Sequence, residues 1–352
     1  MYNLAFIGFG NVGQGLARTL VDKKALLKAE HGFEFKTVAV SDIRMGSILD
    51  EDGVDLERLL QLAKQTGMIK SYRDGQRDIS GMEIVEKKVA DIIIEVTWTN
   101  LETGEPGLTH IRKALAAGMH VVTTNKGPIA LAYRELEQLA KDHDVFLRFE
   151  GTVLTGTPTI NLVSEGLAGA HVKSIRGILN GTTNYVLTQM ETGMSYEKAL
   201  EKAQKLGYAE ADPTMDVDAW DPAAKITILS NVAMNADMKV GDVERTGIRG
   251  VTVEEIKSAQ KQGKRLKLIA KAWRQGDNVC AKVAPESVPS TNALARVEGV
   301  LNAVTFETDV LKDVTVIGPG AGGPEAGYAL LNDMLAINRY LSRAKYSGKD
   351  EK

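Results

Sequence analysis

The chain opens on an unbroken apolar run, Leu4-Ala5-Phe6-Ile7, followed by Gly8-Phe9-Gly10-Asn11-Val12-Gly13 and then by Leu16, Ala17 and Leu20 at helical spacing. This pattern predicts a strand, a tight turn and a helix. A second strand is predicted over Lys36-Thr37-Val38-Ala39-Val40, ending at Ser41-Asp42-Ile43-Arg44. Residues 91–96, with Ile92-Ile93-Ile94, and residues 120–124 read as further strands, separated by helical spacing from Ile111 to Ala117. From Ile129 to His143, Ala132, Leu136, Leu139 and Ala140 share one helical face, and a strand follows at 145–149. Strands without alternation suit a parallel sheet covered on both faces, so the first part of the chain is expected to be a doubly wound α/β domain ending near residue 150.

The texture then changes. Arg265-Leu266-Lys267-Leu268-Ile269-Ala270-Lys271-Ala272 largely alternates, as do Val279, Ala281 and Val283, which predicts half-exposed antiparallel strands. Near the end, Val314-Thr315-Val316-Ile317 runs into Gly318-Pro319-Gly320-Ala321-Gly322-Gly323 and then a helix through Tyr328, Leu331, Leu335 and Ile337. That second glycine-rich stretch reads either as an anion-binding loop or as a hinge. The expected organisation is a dinucleotide-binding domain over 1–150, a substrate-binding and dimerisation domain over 151–310, a return to the first domain over 311–340, and a flexible tail over 341–352. In fold class this is α/β, a Rossmann-type domain joined to an α+β domain whose sheet is mostly antiparallel.

Composition narrows the partners. With 43% apolar residues, 25% charged residues and a net charge of −3, the chain is too balanced to point to nucleic acid or a membrane surface, and small molecules are favoured. One cysteine, Cys280, rules out an internal disulfide, and the five histidines show no zinc-ligand spacing. The apolar run starts almost at Met1, without a basic leader, and a reducing cytoplasm is expected.

Four stretches carry the chemistry. In the first, Gly8 permits the turn, Gly10 lets a pyrophosphate approach the backbone, Gly13 lets helix and strand pack closely, and Phe9, Asn11 and Val12 complete a loop at a helix N-terminus. At the end of the second strand, Asp42 would accept hydrogen bonds from a ribose 2′-hydroxyl and favour NAD, whereas Arg44 and Ser41 would suit the 2′-phosphate of NADP; the residues alone leave both open. Thr123-Thr124-Asn125-Lys126-Gly127-Pro128 stands at the C-terminal end of an apolar strand, where open parallel sheets bind ligands. There Thr124 and Asn125 can hold the nicotinamide end and Lys126 can donate to a substrate oxygen; Thr97, just past the 91–96 strand, joins the expected cofactor set.

The last stretch is a pair of polar segments. Between Gly207 and Lys225 stand Glu210, Asp212, Asp216, Asp218 and Asp221, whose mutual repulsion calls for a cation such as a substrate ammonium together with Lys225. Asp221-Pro222 has the form of a helix start, with Asp221 as N-cap and Pro222 at the first helical position, which puts Lys225 one turn inside. In Gly177-Ile178-Leu179-Asn180-Gly181-Thr182-Thr183-Asn184-Tyr185, polar residues break an apolar strand and begin a helix whose amides can take a carboxylate.

With these residues in place, the chain resembles the homoserine dehydrogenase family in the order and spacing of GFGxVG, TxNK, NGTTNY, GYxExDPxxDxxxxDxxxK and GPGAGG, over about residues 3 to 340. The resemblance implies an NAD(P)-dependent oxidoreductase of amino-acid biosynthesis, leading to threonine, methionine and isoleucine, that interconverts L-aspartate 4-semialdehyde and L-homoserine. Lys126 and Lys225 become the catalytic lysines. Glu210, Asp216, Asp221, Asn180, Gly181, Thr182 and Tyr208 become substrate-binding residues, and Gly318, Gly320, Ala321 and Gly322 join the cofactor set. It further implies a sodium or potassium ion near Glu150, Val153, Thr155 and Thr157, where Leu154-Thr155-Gly156-Thr157 departs from a more glycine-rich family version. A homodimer or homotetramer is implied too. The aspartate kinase and regulatory amino-acid-binding domains of many relatives are not expected here. The alternatives are another amino-acid or semialdehyde dehydrogenase, or a non-catalytic dinucleotide sensor, for which the four residues Lys126, Glu210, Asp221 and Lys225 would have no use.

Overall fold

The first apolar run becomes the centre of a sheet. In the computed structural model, which describes residues 1–72 and 74–347, the chain divides into two units, Met1–Thr152 with the segment from Gly322 onward, and Val153–Ala321.

In the first unit β1 (Tyr2–Ile7) leads into α1 (Asn11–His31), then β2 (Phe35–Asp42), β3 (Gly46–Leu49), α2 (Leu56–Thr66), β4 (Gln76–Arg77), α3 (Gly81–Lys87), β5 (Ile92–Glu95), α4 (Gly107–Ala116), β6 (His120–Thr123), α5 (Lys126–Asp142) and β7 (Leu147–Arg148). The sheet order is β4-β3-β2-β1-β5-β6-β7. The five strands from β2 to β7 through the centre run parallel, with Ile7 in register with Glu95. Leu4, Phe6, Ile92 and Ile94 are wholly buried and pack with Leu16, Leu20 and Leu59, each such side chain contributing about 1.5–3 kcal/mol. The chain leaves β1 towards β2 on one side and reaches β5 on the other, so the C-terminal ends of β1 and β5 form the switch point at which such sheets bind ligands.

Two features differ from expectation. The edge strands β3 and β4 are antiparallel, short enough to look like loop in the sequence. The strand expected over 145–149 shrinks to Leu147–Arg148. The C-terminal helix Gly323–Ser347 packs against α1, and the approach is close: a Cβ at Gly15 would lie 2.3 Å from the Gly323 carbonyl oxygen, and one at Gly327 2.5 Å from the Leu16 nitrogen. This helix runs through most of the tail expected over 341–352, of which 348–352 lie outside the described residues.

The second unit holds β8 (Val172–Ile178), α6 (Gly181–Met190), α7 (Tyr196–Lys205), α8 (Thr214–Val217), α9 (Trp220–Ala233), β9 (Glu244–Arg245), α10 (Val253–Lys261), β10 (Lys264–Gln275), β11 (Asn278–Pro289), β12 (Leu301–Thr308) and β13 (Asp313–Pro319). Its sheet, in the order β13-β12-β8-β10-β11-β9, is antiparallel except for the short β11–β9 pair. The alternation read over Arg265 to Ala272 does not hold at its centre, where Leu266 to Ala270 are all buried. Lys267, a surface position by pattern, is 0% exposed. Its Nζ donates to the Val297 carbonyl (2.7 Å) and to Asn184 Oδ1 (3.2 Å), and burial pushes its ammonium down to about 8. Those two acceptors, distant in sequence, help make the position tolerable.

Candidate active site

Three glycines shape the loop after β1, two of them under steric demands of their own. Gly8 has a φ of +101°, and a Cβ there would lie 2.5 Å from the Val96 carbonyl oxygen. At Gly13 a Cβ would come within 2.8 Å of the Gly8 carbonyl oxygen, forcing α1 away from the strand end. Gly10 differs, since nothing lies within 4 Å of its Cβ position and the approach to the helix is open. No side chain caps α1, so the first-turn N–H groups contributed by Asn11, Val12 and Gly13 are of the kind an anion takes.

Asp42 closes β2 beside this loop. Its Oδ2 accepts the Phe9 N–H (2.9 Å), and its Oδ1 accepts those of Arg44 (2.8 Å) and Met45 (3.0 Å). The carboxylate is thereby fixed to the glycine loop, while Arg44 stands exposed in the following turn. At the ends of β5 and β6, Asn125 is the N-cap of α5, with Oδ1 accepting the Gly127 N–H (3.2 Å). Lys126 opens that helix, half-buried, next to half-buried Thr124. Glu95, a position inside the strand expected over 91–96 to which the sequence assigns no role, lies wholly buried and hydrogen-bonded to Thr97 and Asn125. Its signal was a carboxylate closing an Ile-Ile-Ile run.

In the second unit, residues far apart in sequence converge. Lys225 Nζ donates to Asp221 Oδ2 and to the Leu179 carbonyl, both at 2.7 Å. Asn180 Nδ2 donates to the same Asp221 oxygen (2.9 Å) and to Asp216 Oδ1 (2.7 Å). Asn180 also caps α6 through the Thr183 N–H (2.9 Å). The Thr182 hydroxyl donates to the Tyr208 carbonyl (2.6 Å), and the Tyr185 and Tyr208 rings meet edge to face at 5.0 Å. Lys225 and Asp221 are 6% and 9% exposed, so their attraction is little screened. Asp216 is held above the usual aspartate range by burial first and by the Asp221 charge second, against the opposing hydrogen bond of Asn180.

One local expectation is corrected. Helix α9 begins at Trp220 after Ala219, whose φ is +63°, and Asp221 is not its N-cap. Proline is tolerated through the first turn, where no N–H has an intrahelical partner, so Pro222 did not fix the starting residue. Asp221 therefore turns its carboxylate to Lys225 and Asn180, while the Arg245 guanidinium lies over the Trp220 ring at 3.4 Å and pins the helix start.

The remaining acids separate. Asp212 accepts the Thr214 N–H (3.1 Å), Asp218 pairs with Arg249 (2.5 Å), and Glu210 is exposed on a loop whose carbonyls at Glu210 and Ala211 accept from Gln204. Gly181 abuts the Val300 carbonyl, 2.6 Å from its Cβ position.

The second glycine stretch divides at the unit boundary, with Gly318, Gly320 and Ala321 in one unit and Gly322 in the other. A Cβ at Gly318 would meet the Thr157 hydroxyl at 2.2 Å, and one at Gly320 would overlap Asn302 Oδ1. The hydroxyls of Thr155 and Thr157 donate to the carbonyls of Gly320 (2.8 Å) and Pro319 (3.1 Å). Leu154 and Thr155 have φ of +54° and +49°, a left-handed backbone that explains why glycine suits this turn. Val153 is buried at its start, and Glu150, buried in the first unit, donates its N–H to Asp333 Oδ2 (2.9 Å). Among the described residues no group of three or more His, Cys, Asp or Glu side chains is placed to hold a metal ion, and no helix is long and apolar enough to cross a membrane.

Comparison with known proteins agrees with both units. The family described as homoserine dehydrogenase matches residues 158–335, and its NAD binding domain matches residues 8–150. The chain is 45% identical over 336 residues to the homoserine dehydrogenase of Methanocaldococcus jannaschii, covering 95% of this chain and 98% of that protein. It is 41% identical over 343 residues to an NAD(+)-dependent homoserine dehydrogenase of Pseudomonas canavaninivorans, covering 97% of each. Among solved structures, a putative homoserine dehydrogenase from Archaeoglobus fulgidus superimposes with a TM-score of 0.87 at 37% identity, over 96% of this chain and 99% of that one. A hyperthermophilic archaeal homoserine dehydrogenase in complex with NADPH gives 0.83 at 31%, over 96% and 98%.

Proposed function

Because the chain belongs to the homoserine dehydrogenase family and so interconverts L-homoserine and L-aspartate 4-semialdehyde with NAD or NADP, we propose that Lys225, Asp221, Asn180 and Asp216 form its catalytic cluster. The observation that carries this is the ammonium of Lys225, buried, with two of its N–H bonds committed to Asp221 and Leu179 and the third left for a ligand oxygen. The bound nicotinamide supplies the hydride for reduction and accepts it for oxidation. Lys225 delivers a proton to the semialdehyde oxygen and is left as the neutral amine, and in the reverse direction that neutral amine takes the proton leaving the homoserine hydroxyl.

Asp216 and Asp221, two carboxylates bridged by one amide, bind the substrate ammonium, whose positive charge relieves their mutual repulsion. The α6 N-terminus at Gly181 and Thr182 takes its carboxylate, and the exposed Tyr208 and Glu210 complete the substrate set. Lys126 supplies a second cation on the cofactor side, beside Thr97, Thr124 and Asn125. The test is oxidation of L-homoserine followed at 340 nm: steady NADH or NADPH formation is expected, and none from a folded, cofactor-binding protein would overturn the assignment.

The pH dependence follows from Asp216. It must be ionised to hold the ammonium, and its raised pKa moves loss of binding to higher pH than an ordinary aspartate gives. We expect kcat/KM for L-homoserine to fall as pH drops through that raised value. In Asp216→Asn this limb should vanish and KM should rise about tenfold. An unchanged acid limb in the variant would remove Asp216 from the site.

For the cofactor, the carboxylate of Asp42, held by three backbone N–H groups, accepts ribose hydroxyls but opposes a 2′-phosphate. NAD(H) is therefore the preferred partner, and kcat/KM for NAD should exceed that for NADP by about tenfold or more, like charges at contact costing several kcal/mol. Asp42→Ala should narrow the ratio, and a ratio that favours NADP in the unaltered protein would contradict this.

The oxygens of Val153, Thr155 and Thr157 in the second unit, and those of Glu150 in the first, are of the hard type that sodium or potassium takes. The exposed edge strand β13, with Ile317 49% exposed, offers a pairing edge for a homodimer or homotetramer. A cytoplasmic location suits a biosynthetic enzyme of this kind.

A further inference from the structure

Glu95 takes no part in the chemistry above, yet it is the last residue of β5 and has no exposed surface. Its two oxygens divide their donors between two loops. Oε1 accepts the Thr97 N–H (3.1 Å) and the Thr97 hydroxyl. Oε2 accepts Asn125 Nδ2 (3.2 Å) and the Thr123 hydroxyl (3.3 Å). Asn125 Nδ2 reaches onward to the Thr97 hydroxyl oxygen (3.4 Å) and the Trp98 carbonyl (3.3 Å), and the Asn125 N–H donates to Thr123 (2.9 Å). Gly107 of α4 passes so close that a Cβ would lie 3.0 Å from Glu95 Oε2 and 2.5 Å from Asn125 Nδ2. The His110 ring nitrogen Nδ1 lies 3.8 Å from Oε1.

Burying a carboxylate is costly, and neutral donors offset the cost only in part. What it offers in return is acceptance at both ends and donation at neither. An acceptor-only group forces the NH2 face of Asn125 inward and its carbonyl outward onto α5, and draws Thr97 to the same point from the neighbouring strand. By the general rule for such sheets, a pyrophosphate at the glycine loop with its adenosine at Asp42 would leave the nicotinamide to lie towards the loops after β5 and β6.

We propose that Glu95 is a positioning residue for the nicotinamide end of the cofactor, locking Thr97 and Asn125 in one relative arrangement through its acceptor-only carboxylate. This rests on the assignment of Thr97 and Asn125 to the cofactor. The test is Glu95→Gln, which keeps the shape but turns one end into a donor facing either the Thr97 or the Asn125 donors. NADH affinity would be measured by fluorescence titration, alongside KM for cofactor and for L-homoserine. The expected result is a ten- to hundredfold loss of NADH affinity with a matching rise in cofactor KM, while KM for L-homoserine and kcat at saturating cofactor move less than about threefold.

Adding Asn125→Asp to Glu95→Gln restores a donor opposite an acceptor and should recover part of the affinity, which a loss of general packing would not allow. NADH affinity within about twofold of the unaltered protein, or equal shifts in both KM values, would overturn the proposal. If Glu95→Gln does not fold, Glu95→Asp, which keeps the charge but withdraws it by one methylene, is read against the same two outcomes. Asn125→Ala in parallel separates the two claims. Unchanged NADH affinity there sinks the cofactor assignment and the proposal with it, whereas weakened affinity there with none lost in Glu95→Gln sinks the proposal alone.

Discussion

Replacing Lys225 by alanine is expected to lower kcat for L-homoserine oxidation by about 10³-fold, with NADH affinity within about twofold of the unaltered protein. The size follows from what one positioned proton-transfer group contributes, roughly 10² to 10⁴ in rate. The pattern follows from the geometry: Lys225 belongs to the second unit and binds Asp221 and Leu179 there, whereas the glycine loop and Asp42 belong to the first. KM for L-homoserine should move only a few-fold, because the ammonium and carboxylate of the substrate are held by other groups. The check is steady-state kinetics at saturating substrate together with a fluorescence titration. A loss under about tenfold would assign the proton to another group, with Lys126 the next to test.

Asp221→Ala is expected to damage stability and catalysis together. It strips Lys225 of the carboxylate it is paired with and Asn180 of one of two acceptors, leaving an ammonium 6% exposed hydrogen-bonded to a carbonyl. Breaking a buried ion pair on one side costs about 3–5 kcal/mol, a large share of the roughly 5–15 kcal/mol that holds a domain folded. The denaturation midpoint should fall accordingly, and kcat should drop about 10²-fold as Lys225 loses its orientation. Lys225→Ala combined with Asp221→Ala should be less destabilised than the sum of the two single changes, since no unpaired charge remains. Additive losses in urea denaturation would show that the two side chains are not a coupled pair.

Much of this arrangement could be read from residue order because its constraints are local. Gly8, Gly10 and Gly13 each answer a clash or an opening within a few residues of themselves or at the adjoining strand, and Asn180-Gly181 announces a helix start by its residue types. Where contacts are long-range the sequence was silent. Nothing near Lys267 in the sequence shows that Asn184 and Val297 will receive its ammonium, so the alternating run predicts a half-exposed strand where the lysine is buried.

The acidic stretch shows the same limit. Its composition indicated a cation, but the separation of Asp216 and Asp221 from Asp212, Asp218 and Glu210 depends on Asn180, 36 and 41 residues away from the first two. Helix α9 starts two residues before the position that Asp221-Pro222 predicts, because Pro222 suits any first-turn position. Glu95 went unnoticed because a lone carboxylate at a strand end acquires meaning only when Thr97 and Asn125 close over it.

The central claim is that substrate chemistry occurs at the Lys225–Asp221–Asn180–Asp216 cluster, and a crystal structure of the protein with L-homoserine and NAD tests it most directly. The account predicts the homoserine hydroxyl within hydrogen-bond distance of Lys225 Nζ and the homoserine ammonium against the carboxylates of Asp216 and Asp221. L-homoserine bound elsewhere, or bound here with its hydroxyl turned away from Lys225, would contradict it.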